Sequence, residues 1–350
     1  DSVLQGVTPF DLPGVKDVHV VDRLATEGDW ASISEPATSV PRIVFFSIKG
    51  GVGRSTALAV AAWSLAQQGK RVLVLDLDLE SPGLSSSLLP NDRQPTHGIV
   101  DWLVEDLVDN GGAVFNAMVA TSTLSRDGEI FVVPAHGLDP GEYVSKLGRA
   151  WMPKVSAEGS KENWSRRLNR LVDELSALYR PDVILIDSRA GIDEVASACV
   201  TDLSASAVLM FALNGEQTWA GYRMLFRHWR TSGVATRIRE RLQLVGAMVP
   251  ELGAQEYFAT IRERAWDLFS EELYDEVPPG EMAVGNTWSF DEHNESAPHY
   301  PWAIHWHRGY AALTSLHERF GDLDAEQVKQ VFGSFLDGID HLSLLEGDEA

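Results

Sequence analysis

The sequence predicts an α/β protein, a doubly wound and mostly parallel sheet of about seven or eight strands flanked by helices on both faces. Three observations predict it. The nearly all-apolar run Ile43–Ile48 ends in a glycine-rich turn, and an Ala- and Leu-rich stretch closed by Gly69 follows. A second run, Arg71–Leu77, leads into Asp76 and Asp78. A third, Val183–Ile186, ends on Asp187 and continues Ser188-Arg189-Ala190-Gly191. Apolar runs without alternation mark strands buried on both faces. Carboxylates at the ends of such strands face the ligand crevice of an open α/β sheet.

Composition bounds the reading. The 350 residues, 44% of them hydrophobic, suffice for one large domain or two small ones with a proper core. A net charge of −22 sets the surface against DNA phosphate and anionic lipid, so both are disfavoured as partners. No stretch is apolar enough for a membrane-spanning helix. The single cysteine, Cys199, excludes an internal disulfide, suits a cytoplasmic protein and is expected to be a small buried side chain. The chain begins at Asp1 without Met or signal-like regions and is expected to be a piece of a longer protein.

Taken in order, residues 1–40 read as a linker or extension, with four prolines up to Pro41 and a short strand expected at Val18–Val21. Residues 41–318 read as the main domain, and 319–350 as an acidic C-terminal helix and tail. Within the main domain, His97–Val108 is expected as an amphipathic helix and Glu129–Pro134 as a strand. A long helix is expected over Asn163–Tyr179, with Leu168, Leu171, Val172, Leu175 and Leu178 inward. Ala207–Leu213 and Leu242–Val249 read as buried strands, and residues 255–275 as a helix. Residues 278–302 read as a long loop or short strand pair, followed by a helix from about His305 to His317. The last helix, about Asp324–Leu342, carries Val328, Val331, Phe332, Phe335, Leu336 and Ile339 on one side, for the core or for a partner.

Two arginine groups, Arg166/Arg167/Arg170 and Arg237/Arg239/Arg241, are expected to be solvated helix faces. His293, His299, His305 and His307, with Asp291, Glu292 and Glu295, are of the types that ligate metal but lack compact HxxxH spacing, so a zinc site is disfavoured.

The turn at Lys49-Gly50-Gly51-Val52-Gly53-Arg54-Ser55-Thr56 has the makings of a phosphate cradle. Glycines let backbone N–H groups turn inward, and the helix N-terminus adds positive potential. Ser55 stands where a hydroxyl reaches Mg²⁺. The common phosphate-loop pattern is broken twice, by Ile48 at the first glycine position and Arg54 at the lysine position.

These residues resemble the deviant phosphate loop, KGGxGK[ST], of the MinD/ParA family of ATPases. In that family an extra lysine, here Lys49, reaches across a dimer to the partner's nucleotide. The resemblance continues in Asp76-x-Asp78, which is similar to the family's first switch, and in Asp187-Ser188-Arg189-Ala190-Gly191, which is similar to its second.

The resemblance implies that Asp78 positions the attacking water, and that Asp76 is structural or helps to organise Mg²⁺. It implies that Asp187 holds Mg²⁺ together with Ser55, and that the Gly191 N–H approaches the terminal phosphate. It places Asn214 and Pro250 near the adenine. Arg189 takes a position where relatives usually carry proline. It would either stabilise charge at the phosphates or pair with Asp193 or Glu194, and the pairing is favoured.

The function so implied is a slowly hydrolysing ATPase that uses ATP and Mg²⁺. It would act as a nucleotide-dependent homodimeric switch controlling a partner protein or fused domain. The alternative is a nucleotide-binding scaffold that assembles a complex without turnover. Its motive is Arg54, since guanidinium is planar and bulkier than ammonium. A reductase of the wider family would need a pair of cluster cysteines per subunit, which Cys199 alone cannot supply.

Overall fold

The computed structural model describes residues 10–11, 15–20, 30–277, 287–311 and 325–344. Its centre is an eight-stranded sheet. In chain order the strands are β1 (Arg42–Ser47), β2 (Arg71–Asp76), β3 (Ala120–Thr121), β4 (Glu129–Val133), β5 (Val183–Ala190), β6 (Ala207–Ala212), β7 (Leu242–Val249) and β8 (Trp302–His305). Across the sheet the order is β8-β7-β6-β1-β5-β2-β4-β3. Neighbours run parallel throughout, except that β3 lies antiparallel to β4. The longer helices are α1 (Arg54–Gln67), α2 (Ile99–Asp106), α3 (Trp164–Tyr179), α4 (Glu216–Thr231), α5 (Ala254–Glu272) and α6 (Ala325–Leu342). This is the doubly wound α/β architecture that the apolar runs predict.

Strand β1 shows why both faces are covered. Side chains alternate across a strand, so Ile43 and Phe45 face one layer while Val44 and Phe46 face the other. The first pair packs with α1 and with Val328, Val331, Phe332, Phe335 and Ile339 of α6. The second pair packs with α3 through Leu168, Leu171 and Leu175, and with α4 through Tyr222, Phe226 and Trp229. The Phe45 ring centroid lies 5.9 Å from Phe211 and 6.1 Å from Phe335. Full burial of one such ring stabilises by about 1.5–3 kcal/mol. Hence α6 covers the sheet as core, and its apolar side is not left for a partner.

Four expectations are corrected. The stretch from His305 is not the start of a helix: Trp302–His305 is an edge strand pairing Val245, Gly246 and Val249, and helix resumes only at Arg308–Ala311. Residues 312–317 of the expected helix lie outside the described residues. The Trp302 ring sits on Gly338, where an added Cβ would come within 2.5 Å of it, so β8 is fixed by α6 rather than by local propensity.

Leu178, expected in the core, is 53% exposed at the end of α3. The arginine groups are not solvated faces throughout. Arg167 is fully buried, with its Nε donating to Asp106 Oδ2 at 2.8 Å. Arg241 is largely buried and donates to the Ser34 carbonyl at 2.7 Å. At the N-terminus, the strand is His19–Val20 and pairs with Phe10–Asp11, while Val21 lies outside the described residues.

His299 is buried, with Nε2 at the Glu292 carbonyl and Nδ1 at the Tyr274 hydroxyl. Among the described residues no group of three His, Cys, Asp or Glu side chains is placed to hold a metal ion. Cys199 is buried and free.

Candidate functional site

Strand β1 lies at the switch point of the sheet, between β5 and β6, and its carboxyl end opens into the glycine loop. Gly51 and Gly53 take left-handed φ values of +74° and +81°, where a side chain would be strained. Gly53 is also the N-cap of α1, with no side chain capping the helix. The first N–H groups of α1 therefore lack the usual side-chain acceptor, a disposition that suits an anion. Lys49, Gly50 and Gly51 are exposed, while Val52 and Arg54 are buried.

Ile48, which breaks the common pattern, packs towards α4. A Cβ at Gly221 would lie 2.4 Å from Ile48 Cγ2, so glycine at 221 is what makes room for it. Met248 approaches the other side of the loop, its Cε 3.7 Å from where a Cβ on Gly53 would be. Met248 itself takes φ +53°, beside the irregular pairing of β7 with β8 between Gly246 and Val249.

Beneath the loop, adjacent parallel strands bring three carboxylates together. Asp76 and Asp187 are register partners on β2 and β5, and Asp78 follows two residues after Asp76. Arg54 is directed inward among them. Its Nε donates to Asp187 Oδ1 at 2.6 Å, one terminal nitrogen to Asp78 Oδ2 at 3.2 Å and the other to Ser47 Oγ at 3.0 Å. Ser55 Oγ donates to the other oxygen of Asp187 at 2.5 Å. The expected hydroxyl–carboxylate pair, Ser55 and Asp187, is thus in contact. Thr56 stands beside them on the first turn of α1.

Other expected residues are placed differently. Asp76 is fully buried and accepts the backbone N–H groups of Asp78 and Gly83, both at 3.3 Å. The Gly191 N–H, expected to approach a phosphate, instead donates to the Ser47 carbonyl at 2.9 Å. The cause is a register shift between β1 and β5. Phe45 pairs with Asp187 and Ser47 with Ala190, so the extra residue on β5 folds the following turn back onto β1. Gly191 makes that turn at φ +107°. Asn214 is exposed after β6, its N–H donating to the Tyr257 hydroxyl at 3.2 Å, and Pro250 directly follows β7.

Arg189 is paired, as favoured, with Asp193, at 3.3 Å, and also with Glu80, at 2.5 Å. Sequence reasoning gave no role to Glu80, Ser47, Met248 or Tyr143, whose hydroxyl donates to the Leu79 carbonyl at 2.6 Å. The hydroxyl of Ser47 at the end of an apolar strand was the one legible signal among these.

Electrostatics follow from burial. Burial, then Asp187 and Asp78, push the Asp76 carboxyl up to about 8. Asp78 is also raised, chiefly by burial, with Arg54 opposing. For Arg54, burial works against the charge, but Asp187 and Asp78 outweigh it and raise its pKa. The guanidinium is thus paired with Asp187 and Asp78, while the third carboxyl, Asp76, is held towards its protonated form.

Oxygen donors from one hydroxyl and one carboxylate fit a hard divalent ion that draws its remaining ligands from phosphate and water. Ser55 and Asp187 are the residues that would hold Mg²⁺.

Residues 43–346 match the family described as the CobQ/CobB/MinD/ParA nucleotide binding domain. Among curated proteins, the chain is 26% identical over 151 residues to the septum site-determining protein MinD of Buchnera aphidicola, covering 43% of this chain and 45% of that protein. It is 38% identical over 61 residues to the cytosolic Fe-S cluster assembly factor CFD1 of Yarrowia lipolytica, covering 17% of this chain and 21% of that one. The chain therefore spans less than half the length of these relatives.

Among solved structures, it is similar to MinD from Pyrococcus horikoshii complexed with Mg-ADP, with TM-score 0.51, 18% identity and coverage of 89% of this chain and 99% of that one. A ParA family ATPase from Chlorobium tepidum gives 0.51 and 14%, with 87% and 100% covered. The pNOB8 ParA bound to nonspecific DNA gives 0.51 and 15%, with 89% and 100% covered. These likenesses concern the fold; the family follows from the match over most of the chain. The chain belongs to the CobQ/CobB/MinD/ParA nucleotide-binding domain family.

Proposed function

We propose that the loop from Lys49 to Thr56 binds the phosphates of ATP and that the chain is a slow ATPase, working as a nucleotide-dependent dimeric switch for a partner protein or fused domain. The observation that carries this reading is the convergence of Ser55, Asp187, Arg54 and Asp78 beneath a glycine loop at the switch point of the sheet. In this reading the loop N–H groups and the start of α1 receive the phosphates. Asn214 and Pro250, at the ends of neighbouring strands, border the base.

Magnesium, when bound, would supply charge neutralisation at the phosphates. Ser55 and Asp187 would be its protein ligands. Asp76, buried and already accepting two N–H groups, serves by fixing the loop that carries Asp78. Asp78 is half-buried with a raised pKa, which suits a carboxylate that orients water. Lys49, exposed at the outer edge of the loop, is free to meet a second copy.

A second reading has its own support. Arg54 engages Asp187 and Asp78 at once, so the groups needed for metal and water are tied up. A chain that keeps this arrangement with nucleotide bound is a scaffold without turnover. As to DNA, the acidic balance of the sequence argues against it. A ParA of the same fold is nevertheless described bound to nonspecific DNA, so the fold does not exclude it.

Phosphate release by purified protein with Mg·ATP tests the first reading, alongside calorimetric binding of a non-hydrolysable analogue. Binding with release supports the ATPase, binding without release supports the scaffold, and absence of binding removes both.

A further inference from the structure

The two residues that depart from the family pattern near the phosphates, Arg54 and Arg189, each tie the loop after β2 to the carboxyl end of β5. Arg54 does so from inside, between Asp78 and Asp187. Arg189 does so from outside, between Glu80 and Asp193. They differ in how firmly they are held. Arg54 is 6% exposed and bonded to three side chains, so withdrawing it would strand buried carboxylates. Arg189 is 30% exposed, and its partners Glu80 and Asp193 are 49% and 25% exposed. Ion pairs that open to solvent carry little net energy and exchange readily for a better anion. Arg189 is also close enough to Asp78 for its charge to lower that carboxyl, so it stands at the same end of the site.

A nucleoside triphosphate differs from a diphosphate by a terminal group of high negative charge. Of the two arginines, the one better able to answer that difference is Arg189, whose present partners are weak and solvated. We propose that Arg189 is the residue by which this chain distinguishes a nucleoside triphosphate from a diphosphate, and that Glu80 is the competing anion that sets the margin. On triphosphate binding, Arg189 exchanges Glu80 for the terminal phosphate, and the loop after β2 loses its outer tie. Asp193 stays as the fixed partner, because its other oxygen caps the short helix at Glu194–Ser197 by accepting from Val195 and Ala196. The exchange keeps Arg189 paired, leaves the half-exposed Glu80 carboxylate to solvent and forms no covalent bond. This inference rests on the nucleotide-site reading above.

The test is calorimetry on the full chain with Mg²⁺, using adenosine 5′-O-(3-thiotriphosphate) and ADP as probes. Glu80→Gln keeps the shape but removes the competing charge. It is expected to tighten the triphosphate analogue about fivefold and leave ADP within about twofold, the range of one charge-assisted contact. Arg189→Ala is expected to weaken the analogue about tenfold with ADP again unchanged, and Arg189→Lys to recover part of the loss. In the Arg189→Ala background, Glu80→Gln should have no effect, since the pair is then already broken.

Thermal unfolding of each variant shows whether it is folded. If both probes bind and their affinity ratio stays within about twofold of wild type in every variant, the inference is overturned and the nucleotide site stands. If neither probe binds the wild-type chain, the site reading fails and takes the inference with it.

Discussion

Arg54 turns its Nε to Asp187 Oδ1 at 2.6 Å, so the cation of the glycine loop faces the neighbouring strand and not the open cradle. The pair is almost wholly buried, and Asp187 also receives Ser55 on its other oxygen. Removing one partner of a buried ion pair is destabilising by about 3–5 kcal/mol, because the other charge remains. Arg54→Ala is therefore expected to lower stability by roughly 3 kcal/mol in urea unfolding of the nucleotide-free protein. Arg54→Lys cannot fork to Asp187, Asp78 and Ser47 together, and should lose less while releasing Asp78. If arginine restrains turnover, phosphate release rises in Arg54→Lys. An unfolding midpoint unmoved in Arg54→Ala would show that the buried pair is not formed in solution.

Asp78 is the carboxylate expected to act on water. It is half-buried, raised by burial, and held by one terminal nitrogen of Arg54 at 3.2 Å. Asp78→Ala should retain the ATP analogue with a dissociation constant within about threefold of wild type, while phosphate release falls about a hundredfold or more. Normal turnover in this variant would withdraw the assignment and leave Asp78 as a counter-ion for Arg54.

Lys49 is exposed at the entrance to the loop, while Ser47 Oγ donates to its backbone carbonyl at 2.9 Å. Truncating an exposed side chain leaves the core intact, so Lys49→Ala should unfold within about 0.5 kcal/mol of wild type. If Lys49 meets the nucleotide of a second copy, mass measured by light scattering with the ATP analogue should shift from dimer towards monomer. Dimerisation equal to wild type would remove the cross-dimer role without touching nucleotide binding.

Much of this was legible in the sequence because the central strands are buried on both faces. Ile43–Phe46, Val72–Leu75 and Val183–Ile186 tolerate almost nothing polar, and the change to glycine or aspartate marks where each leaves the core. The edge was not legible. Trp302–His305 owes its strand to the backbone of β7 and to α6, and with only Trp302 and Ile304 turned to the core it is too short to mark a strand by its own pattern.

Directions of charged side chains were hidden for a related reason. Arg167 and Asp106 are 61 residues apart, and nothing local tells that an arginine on a helix will be drawn fully inside. Arg54 shows the same limit within the site. Its type and spacing indicated a cation at the phosphates, but its turn towards Asp187 depends on β5 lying beside β1.

Asp76 gives the pH dependence its sign. Its carboxyl has an ordinary value of 3.8 and is pushed to about 8 in the folded chain by burial, Asp187 and Asp78. Between those values the folded protein keeps a proton that the unfolded chain has released. Stability from this group is complete below the unfolded value and is lost as pH rises through the folded one. Asp76→Asn removes the titration and keeps an acceptor for one of the two N–H groups from Asp78 and Gly83. In chelator and without nucleotide, the stability of Asp76→Asn relative to wild type should grow with pH from about 5 to about 8, by up to roughly 1 kcal/mol per unit. Asp106 and Asp275, whose carboxyls are lowered, work the opposite way in acid in both proteins and cancel in the difference. A difference that stays level across that range would mean that Asp76 is ionised in the folded chain, with more positive charge beside it than Arg54 provides.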